Sequence, residues 1–157
     1  MLKVKTNFAE QTLYIGLDVH KRSWNAALYL NDQYLRNVHQ SPSPKALHKF
    51  LQTNYPGADY VCAYEGGKFG YWIQRQLSSK GIKCIVVNPA DIPATHKDEV
   101  NKTDVRDARR IAMALQCGQL RGIYIPTVQQ ESDRSLVRHR KKIWRDLVRC
   151  KNRIKGF

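Results

Sequence analysis

Residues 12–38, TLYIGLDVHKRSWNAALYLNDQYLRNV, decide the fold because they contain three short segments, in close succession, that each predict a strand. The segments 12–19 and 24–30 are rich in aliphatic and aromatic side chains, and the third, residues 33–38, follows an Asn-Asp turn signal. Short connections between extended segments favour antiparallel pairing. We therefore predict that the domain begins with a three-stranded antiparallel meander.

Strand and helix patterns alternate after this meander. The predicted elements are, in chain order, a helix that enters at residues 41–44, a strand over 60–64, a helix over 71–77, a strand over 82–87, a short helix from Asn88-Pro89, a helix over 104–116 and a long basic helix from Val128. A strand, a helix and a strand joined by short connections predict a parallel pair. The resulting order predicts an α/β protein of the ribonuclease H-like fold, with flanking helices on a mixed sheet.

Charge is distributed unevenly along the chain, whose 27 Lys and Arg against 13 Asp and Glu give a net charge of +14. Residues 134–157 contain ten of the basic residues and one acid, so they contribute +9 of this total. Such an excess favours a polyanionic partner over a membrane, although a solvated helix face is the alternative. No apolar run reaches the roughly 18 residues that span a bilayer, and no signal peptide is recognisable, so we expect a cytoplasmic protein.

Two acidic residues stand at the ends of predicted apolar strands. Asp18 lies near the end of the first strand in IGLDVHK, and Glu65 follows YVCAY directly before Gly66-Gly67. Burying such a charge is unfavourable unless it is paired or bound to a cation. The carboxyl ends of parallel strands are also common places for functional sites. The structural alternatives are an exposed turn capped by Asp18 and turn chemistry at Glu65.

Two further acids, Asp104 and Asp107, are three residues apart and therefore share one face of a predicted helix. They also suit the first turn of that helix, where Thr103 caps the N-terminus and negative charge favours the helix dipole. In the predicted topology the first and fourth strands end side by side, and this helix crosses the same sheet edge. We therefore predict that four carboxylates converge there and bind Mg²⁺ or Mn²⁺, which prefer oxygen ligands.

Four segments, YIGLDVHK, YEGG, GIKCIVVNP and NKTDVRDARRIA, resemble those of the DEDD transposases and the Piv-type DNA invertases in order and spacing. The resemblance covers residues 13–157 and implies a domain similar to the RuvC Holliday-junction resolvase. By position, it assigns the four acidic residues of that family to Asp18, Glu65, Asp104 and Asp107. These are the same four residues that the strand ends and the helical spacing single out.

The resemblance implies a DNA transposase or site-specific recombinase that cleaves and transfers DNA strands in the presence of Mg²⁺ or Mn²⁺. It also implies binding to DNA and to a structured guide RNA, and a serine in a downstream domain, so we expect this chain to be the N-terminal half of such an enzyme. Two cations about 4 Å apart can neutralise a phosphate and activate a nucleophile. In this interpretation Asp18 bridges them, Glu65 holds one, and Asp104 and Asp107 hold the other.

Basic residues near the acids and along the C-terminal helix are candidates for contact with nucleic-acid phosphates. Lys21, Lys102 and Arg106 are close to the acids in sequence, where they either contact phosphate or balance charge. His20 is either a proton shuttle or a surface residue. The candidates in the C-terminal helix are Arg138, Lys141, Lys142, Arg145, Arg149 and Lys151.

We predict that the catalytic domain covers residues 1–127 and that residues 128–157 form a basic amphipathic helix that begins a connector to a further domain. One face of this helix is mainly apolar. Its residues follow one another at alternating spacings of four and three: Leu136, Arg140, Ile143, Leu147, Cys150, Ile154 and Phe157. This spacing is typical of coiled coils and predicts a homo-oligomer formed through the helix. Packing on the parent domain or on the further domain is the alternative.

Two functions of other classes fit parts of the sequence. The segment IGLD also opens the phosphate-binding hairpin of actin-like kinases and ATPases, although His20 stands where that fold has glycine and the chain is short for two lobes. The other alternative is a non-catalytic nucleic-acid-binding module in which the acids are structural. Metal dependence separates the enzyme from the module, and nucleotide binding separates the kinase from both.

Overall fold

Five strands form one mixed sheet in the computed structural model, which describes residues 7–93 and 103–156. In chain order they are β1 (Thr12–Val19), β2 (Trp24–Leu30), β3 (Gln33–Gln40), β4 (Asp59–Glu65) and β5 (Lys83–Val87). Their spatial order is β3-β2-β1-β4-β5. The pairs β1–β2 and β2–β3 are antiparallel, whereas β1–β4 and β4–β5 are parallel. The predicted meander, the parallel pair and the α/β class are therefore confirmed.

Helices account for most of the remaining described residues. They are α1 (Pro44–Asn54), α2 (Trp72–Ser78), α3 (Asp104–Gln116) and α4 (Val128–Lys155), with a single 3-10 turn at Pro89–Asp91. Where the sequence predicts boundaries, the observed ends agree to within two residues; β3 continues beyond Val38 to Gln40, for example. The short helix predicted at Asn88-Pro89 is the 3-10 turn.

Side-chain caps fix the first residues of α3 and α4. The Thr103 hydroxyl accepts a hydrogen bond from the backbone N–H of Arg106, which starts α3 at the first of its two acids. Thr127 and Gln130 form a capping box at the start of α4. These caps satisfy backbone N–H groups that have no partner within the helix. The predicted cap at Thr103 is confirmed.

A row of small residues crosses the centre of the sheet and lets α3 lie close to it. Gly16 of β1 is in register with Ala27 of β2 and Ala63 of β4, and all three are buried. A Cβ atom at Gly16 would collide with the backbone of Ala108 and Ala112 in α3. The glycine is therefore needed for close approach of the helix backbone to the strand.

The alternation of side chains along the strands brings the acids to the face that α3 covers. Asp18 lies two residues after Gly16, and Glu65 lies two residues after Ala63, so each shares a face with the small residue before it. Ala27, Ala63 and residues of α3 pack together on that face. The Tyr64 hydroxyl, on the other face, accepts a hydrogen bond from a backbone N–H of α2. The first turn of α3 therefore approaches the ends of β1 and β4.

The chain divides into two compact units between residues 123 and 124. The first contains the sheet and α1 to α3, and the second contains α4. No described residue of α4 is buried. The placement of the domain boundary at residue 127 stays a prediction. Within the part of the chain that the structure describes, no helix combines the length and apolar character needed to cross a bilayer.

Candidate metal centre

A cleft of about 500 Å³ lies at the edge of the sheet where β1 and β4 end. The predicted acids all line it: Asp18, Glu65, Asp104 and Asp107. Glu65 is held at the edge of the cleft because the next residue, Gly66, continues the pairing of β4 with β5. The N–H of Gly66 donates to the carbonyl of Val87 at 2.8 Å. The structure thus brings together the four side chains that the sequence predicts to converge.

One half of the cleft is formed by Asp18, His20 and Asp104. The Nε2 atom of His20 lies 2.9 Å from Oδ2 of Asp18 and 3.6 Å from Oδ1 of Asp104. One potential ligand atom from each of the three residues lies within 4.8 Å of the other two. Two carboxylates and an imidazole at these distances supply the oxygen and nitrogen donors that bind divalent cations.

The electrostatics of Asp18 favour a cation at this place. Burial raises the pKa of Asp18 above its ordinary value; His20 opposes this rise, and the charges of Asp104 and Asp107 add to it. The side chain of Asp18 is only 18% exposed. An ionised carboxylate with little solvent and two acidic neighbours is stabilised by a nearby positive charge. The residues present therefore fit a divalent cation.

Glu65 and Asp107 form the other half of the cleft, and Arg110 of α3 connects them. Its Nη2 atom lies 3.3 Å from Oδ1 of Asp107 and 3.9 Å from Oε1 of Glu65. The Asp107 side chain is 14% exposed and that of Arg110 is 22% exposed, so solvent screens this pair less than a surface ion pair. The Nε atom of Arg110 is buried and has no hydrogen-bond partner among the described residues. The guanidinium therefore balances two of the four acids.

Two residues that contact the acids of the cleft, Arg110 and His20, go beyond the sequence prediction. Arg110 is not among the predicted residues, although it follows Asp107 at the same three-residue spacing that relates Asp107 to Asp104. His20 is half exposed, yet it contacts two acids, so the surface alternative does not describe it fully. The helical spacing is a signal that can identify Arg110, whereas the position of His20 depends on the turn after β1.

The basic residues predicted to bind nucleic acid lie in both units. Lys21 and Arg106 are exposed, and each is close in sequence to one of the acids. Lys102 lies outside the described residues. The predicted residues of α4 are all exposed: Arg138, Lys141, Lys142, Arg145, Arg149 and Lys151. The structure adds Lys68, an exposed residue that lines the cleft.

Comparison with known proteins identifies the family. Residues 15–157 match the family model described as a transposase, that of the DEDD transposases of the IS110 type. This chain belongs to the IS110-type DEDD transposase family. The resemblance to DEDD transposases predicted from the sequence is therefore confirmed, and it favours a transposase over an actin-like phosphotransferase.

Named relatives of this transposase domain are also transposases. The transposase for insertion sequence element IS1533 of Leptospira borgpetersenii is 31% identical over 153 residues, which cover 94% of this chain and 44% of that protein. The “Putative transposase y4rJ” of Sinorhizobium fredii is 38% identical over 106 residues, or 62% of this chain and 26% of that protein. The chain thus spans less than half the length of these curated relatives.

Proposed function

We propose that this chain is the catalytic domain of a DNA transposase and that DNA strands are cleaved at the cleft lined by Asp18, Glu65, Asp104 and Asp107. The supporting observation is the convergence of these acids from two strand ends and one helix start in a chain of the transposase family. The spatial strand order, with α3 packed across β1, supports a ribonuclease H-like, RuvC-like fold for this domain.

In this proposal the four acids hold Mg²⁺ or Mn²⁺. Asp18 is the central residue because its carboxylate interacts with His20, Asp104 and Asp107. When bound, the cation offsets the charge of a phosphate and favours the ionised form of water. The chain contributes the fixed placement of the carboxylates, since Asp18 and Glu65 belong to paired strands and Asp104 and Asp107 belong to a capped helix.

Nucleic acid is the proposed substrate and partner, with DNA as the cleaved strand and a structured RNA as the guide. The basic residues of α4 are the proposed phosphate-binding surface of the second unit. Contacts with phosphates give affinity for DNA and RNA alike, without sequence preference. Lys21 and Arg106 are the corresponding candidates next to the cleft.

Two further parts of the proposal concern regions beyond the cleft. Strand transfer is proposed to need a serine from a second domain, as the resemblance implies. The chain is also proposed to associate with a second copy through the mainly apolar face of α4. The coiled-coil spacing of that face and its exposure support this: Leu136, Ile143, Leu147 and Ile154 are between 51% and 75% exposed. Sedimentation of the wild-type chain and of a Leu147→Glu variant tests the proposed self-association, which we expect the variant to lose.

The experiment for the proposed function uses linear and branched DNA incubated with the chain, with and without Mn²⁺. We expect weak metal-dependent hydrolysis and little or no strand transfer, because the resemblance assigns the nucleophilic serine to a second domain, and positioning a phosphate without a nucleophile gives little of the rate. Asp18→Asn removes the hydrolysis, whereas Asp59→Asn, at the opposite end of β4 from Glu65, retains it. Hydrolysis that persists in Asp18→Asn or in EDTA contradicts the proposed site.

Two other outcomes also decide between the candidate functions. Efficient recombination by this chain alone contradicts the need for a second domain. A chain that binds DNA but shows neither hydrolysis nor stabilisation by Mn²⁺ is a nucleic-acid-binding module in which the acids are structural.

A further inference from the structure

We infer that the two halves of the cleft bind cations differently when no nucleic acid is bound. One divalent cation binds to Asp18, His20 and Asp104, with Nε2 of His20 as a ligand, whereas Arg110 holds Glu65 and Asp107 and excludes a second cation. This inference rests on the proposed function, because it takes the cleft to be a divalent-cation site. It adds a nitrogen ligand and a built-in counter-ion to the four acids.

The His20 half is suited to a metal because of the position and the chemistry of the imidazole. A neutral imidazole has a nitrogen lone pair that binds metals. The Nε2 atom of His20 already lies at 2.9 Å and 3.6 Å from carboxylate oxygens of Asp18 and Asp104. The turn after β1 fixes its backbone, since the N–H of His20 donates to the carbonyl of Ser23 at 3.1 Å. A cation between the three groups replaces the Nε2 proton that this contact with Asp18 uses, leaving the neutral ring with its proton on Nδ1, and it needs only small side-chain movements.

The half of the cleft that contains Arg110 is unsuited to a metal when no nucleic acid is bound. A guanidinium remains protonated in proteins and has no lone pair to offer, so Arg110 can neutralise carboxylates but cannot act as a ligand. Its Nη2 atom lies within 4.0 Å of both Glu65 and Asp107. Two carboxylates that already share a positive charge attract a second cation less strongly.

Burial makes Arg110 costly to displace. Its Nε atom is buried without a hydrogen-bond partner among the described residues, so the two carboxylates are its main compensation for lost solvent. Moving the guanidinium away without another anion would leave a poorly solvated charge. A phosphate group is such an anion. When nucleic acid supplies one, Arg110 can release Glu65 and Asp107, and these two carboxylates become available to a second cation.

The nitrogen ligand also affects the choice of metal. Mg²⁺ strongly prefers oxygen ligands, whereas transition metals accept imidazole readily. A site composed of two carboxylates and His20 therefore binds Mn²⁺ more tightly than Mg²⁺. This consequence is independent of catalytic activity and is measurable on the chain as it is.

The experiment follows Mn²⁺ binding by electron paramagnetic resonance, with free Mn²⁺ measured in a titration and nitrogen coupling measured by pulsed methods. For the wild-type chain we expect about one tightly bound Mn²⁺, with a coupling that changes when histidine is labelled with ¹⁵N. In His20→Ala we expect this coupling to disappear and the affinity to fall by at least about tenfold. Arg110→Met keeps an unbranched side chain without charge, and we expect it to bind a second Mn²⁺ tightly.

Arg109→Met is the matched control, because Arg109 is adjacent in α3 but contacts Tyr29 and Tyr34 and not the acids. It should bind one Mn²⁺ with unchanged nitrogen coupling. Two equally tight sites in the wild-type chain, or a second site in Arg109→Met as well as in Arg110→Met, overturn the role of Arg110. Tight binding of Mn²⁺ without histidine coupling overturns the role of His20 and leaves the proposed metal site intact. No binding of Mn²⁺ by the wild-type chain overturns the proposed function and this inference together.

Discussion

Helices α3 and α4 both begin at a threonine cap and both carry charged residues, but they are stabilised in different ways. Five of the 13 residues of α3 are buried, and its first turn is fixed against the ends of two strands. None of the described residues among the 28 of α4 is buried. In the proposed function the two helices use charge differently, because metal binding requires carboxylates at fixed positions, whereas phosphate binding requires mainly a high density of positive charge.

Several features within α4 favour its helical conformation. Its length exceeds the roughly 12–15 residues below which isolated helices are marginal in water. The capping box satisfies its first N–H groups, and Arg153 and Lys155 lie in the last turn, where positive charge favours the helix dipole. In α3, by contrast, the small residues of the sheet decide where the helix lies.

The largest expected effect is that of Gly16→Ala, which tests the close approach of α3 to the sheet. The added methyl group meets backbone atoms of Ala108 and Ala112, which cannot rotate out of the way. We expect a loss of about 3 kcal/mol in the free energy of unfolding and a clear loss of Mn²⁺ affinity, because α3 carries two of the acids. Chemical denaturation and a Mn²⁺ titration measure the two effects.

Gly67→Ala is the control for this substitution, since a Cβ atom at Gly67 has no heavy atom within 4 Å. Its free energy of unfolding should stay close to that of the wild-type chain. If Gly16→Ala is as stable as Gly67→Ala, the packing of α3 on β1 does not depend on the missing side chain.

Asp18→Asn tests whether the cleft is a cation site and not only a structural cluster. We expect a saturating Mn²⁺ concentration of about one hundred times the dissociation constant to stabilise the wild-type chain by about 2.7 kcal/mol and the variant by much less. Without metal the variant should be no less stable, because burial disfavours the ionised carboxylate that it replaces. Thermal melting with and without Mn²⁺ measures both, and equal stabilisation of the two proteins excludes Asp18 as a ligand.

The charges of α4 are tested by replacing Lys141, Lys142 and Arg145 with glutamine. The slope of log affinity against log salt concentration is negative, and each lost phosphate contact lowers its magnitude by about 0.9, so we expect the magnitude to fall by up to about 3 for duplex DNA. The melting temperature should stay constant, because these side chains are exposed. Glutamine at the exposed lysines 45, 49 and 83 of the first unit is the matched control, and equal slope changes in both triple variants refute a special role for α4.

The smallest effect is expected for Arg109→Met, on the side of α3 away from the acids. The variant loses the hydrogen bond from Nε to the Tyr29 hydroxyl and the contact of the guanidinium with the ring of Tyr34, 4.2 Å from its centre. We expect a loss of about 0.5–1 kcal/mol in the free energy of unfolding and no change in Mn²⁺ affinity. A large loss of Mn²⁺ affinity would show that the two sides of α3 are not independent.

Much of the fold follows from the sequence because the strands are marked by local patterns. The meander over residues 12–38 has short turns, and the buried strands around Cys62 and Cys84 are short apolar runs, so their directions follow from the connection lengths. The row of Gly16, Ala27 and Ala63 was not predictable in the same way. Its members come from three strands, and only the register of the sheet places them side by side.

The acids were predictable because each stands at a strand end or at a capped helix start. Their grouping into two halves was not predictable, because it depends on which basic side chain reaches which carboxylate. Arg110 shares the helical spacing of Asp104 and Asp107, but several arginines follow the cap at Thr103, and their partners depend on the rotation of α3 against the sheet. The contacts of His20 with Asp18 and Asp104 were not predictable either, because they depend on the geometry of the turn after β1.

The most direct test of the account is a crystal of the chain grown or soaked with Mn²⁺, with the metal located by anomalous scattering. The account predicts a peak in the cleft, within about 2.6 Å of carboxylate oxygens of both Asp18 and Asp104. A manganese ion bound elsewhere, with Asp18 and Asp104 not coordinating it, would contradict the central claim that the strand ends and α3 together form a divalent-cation site.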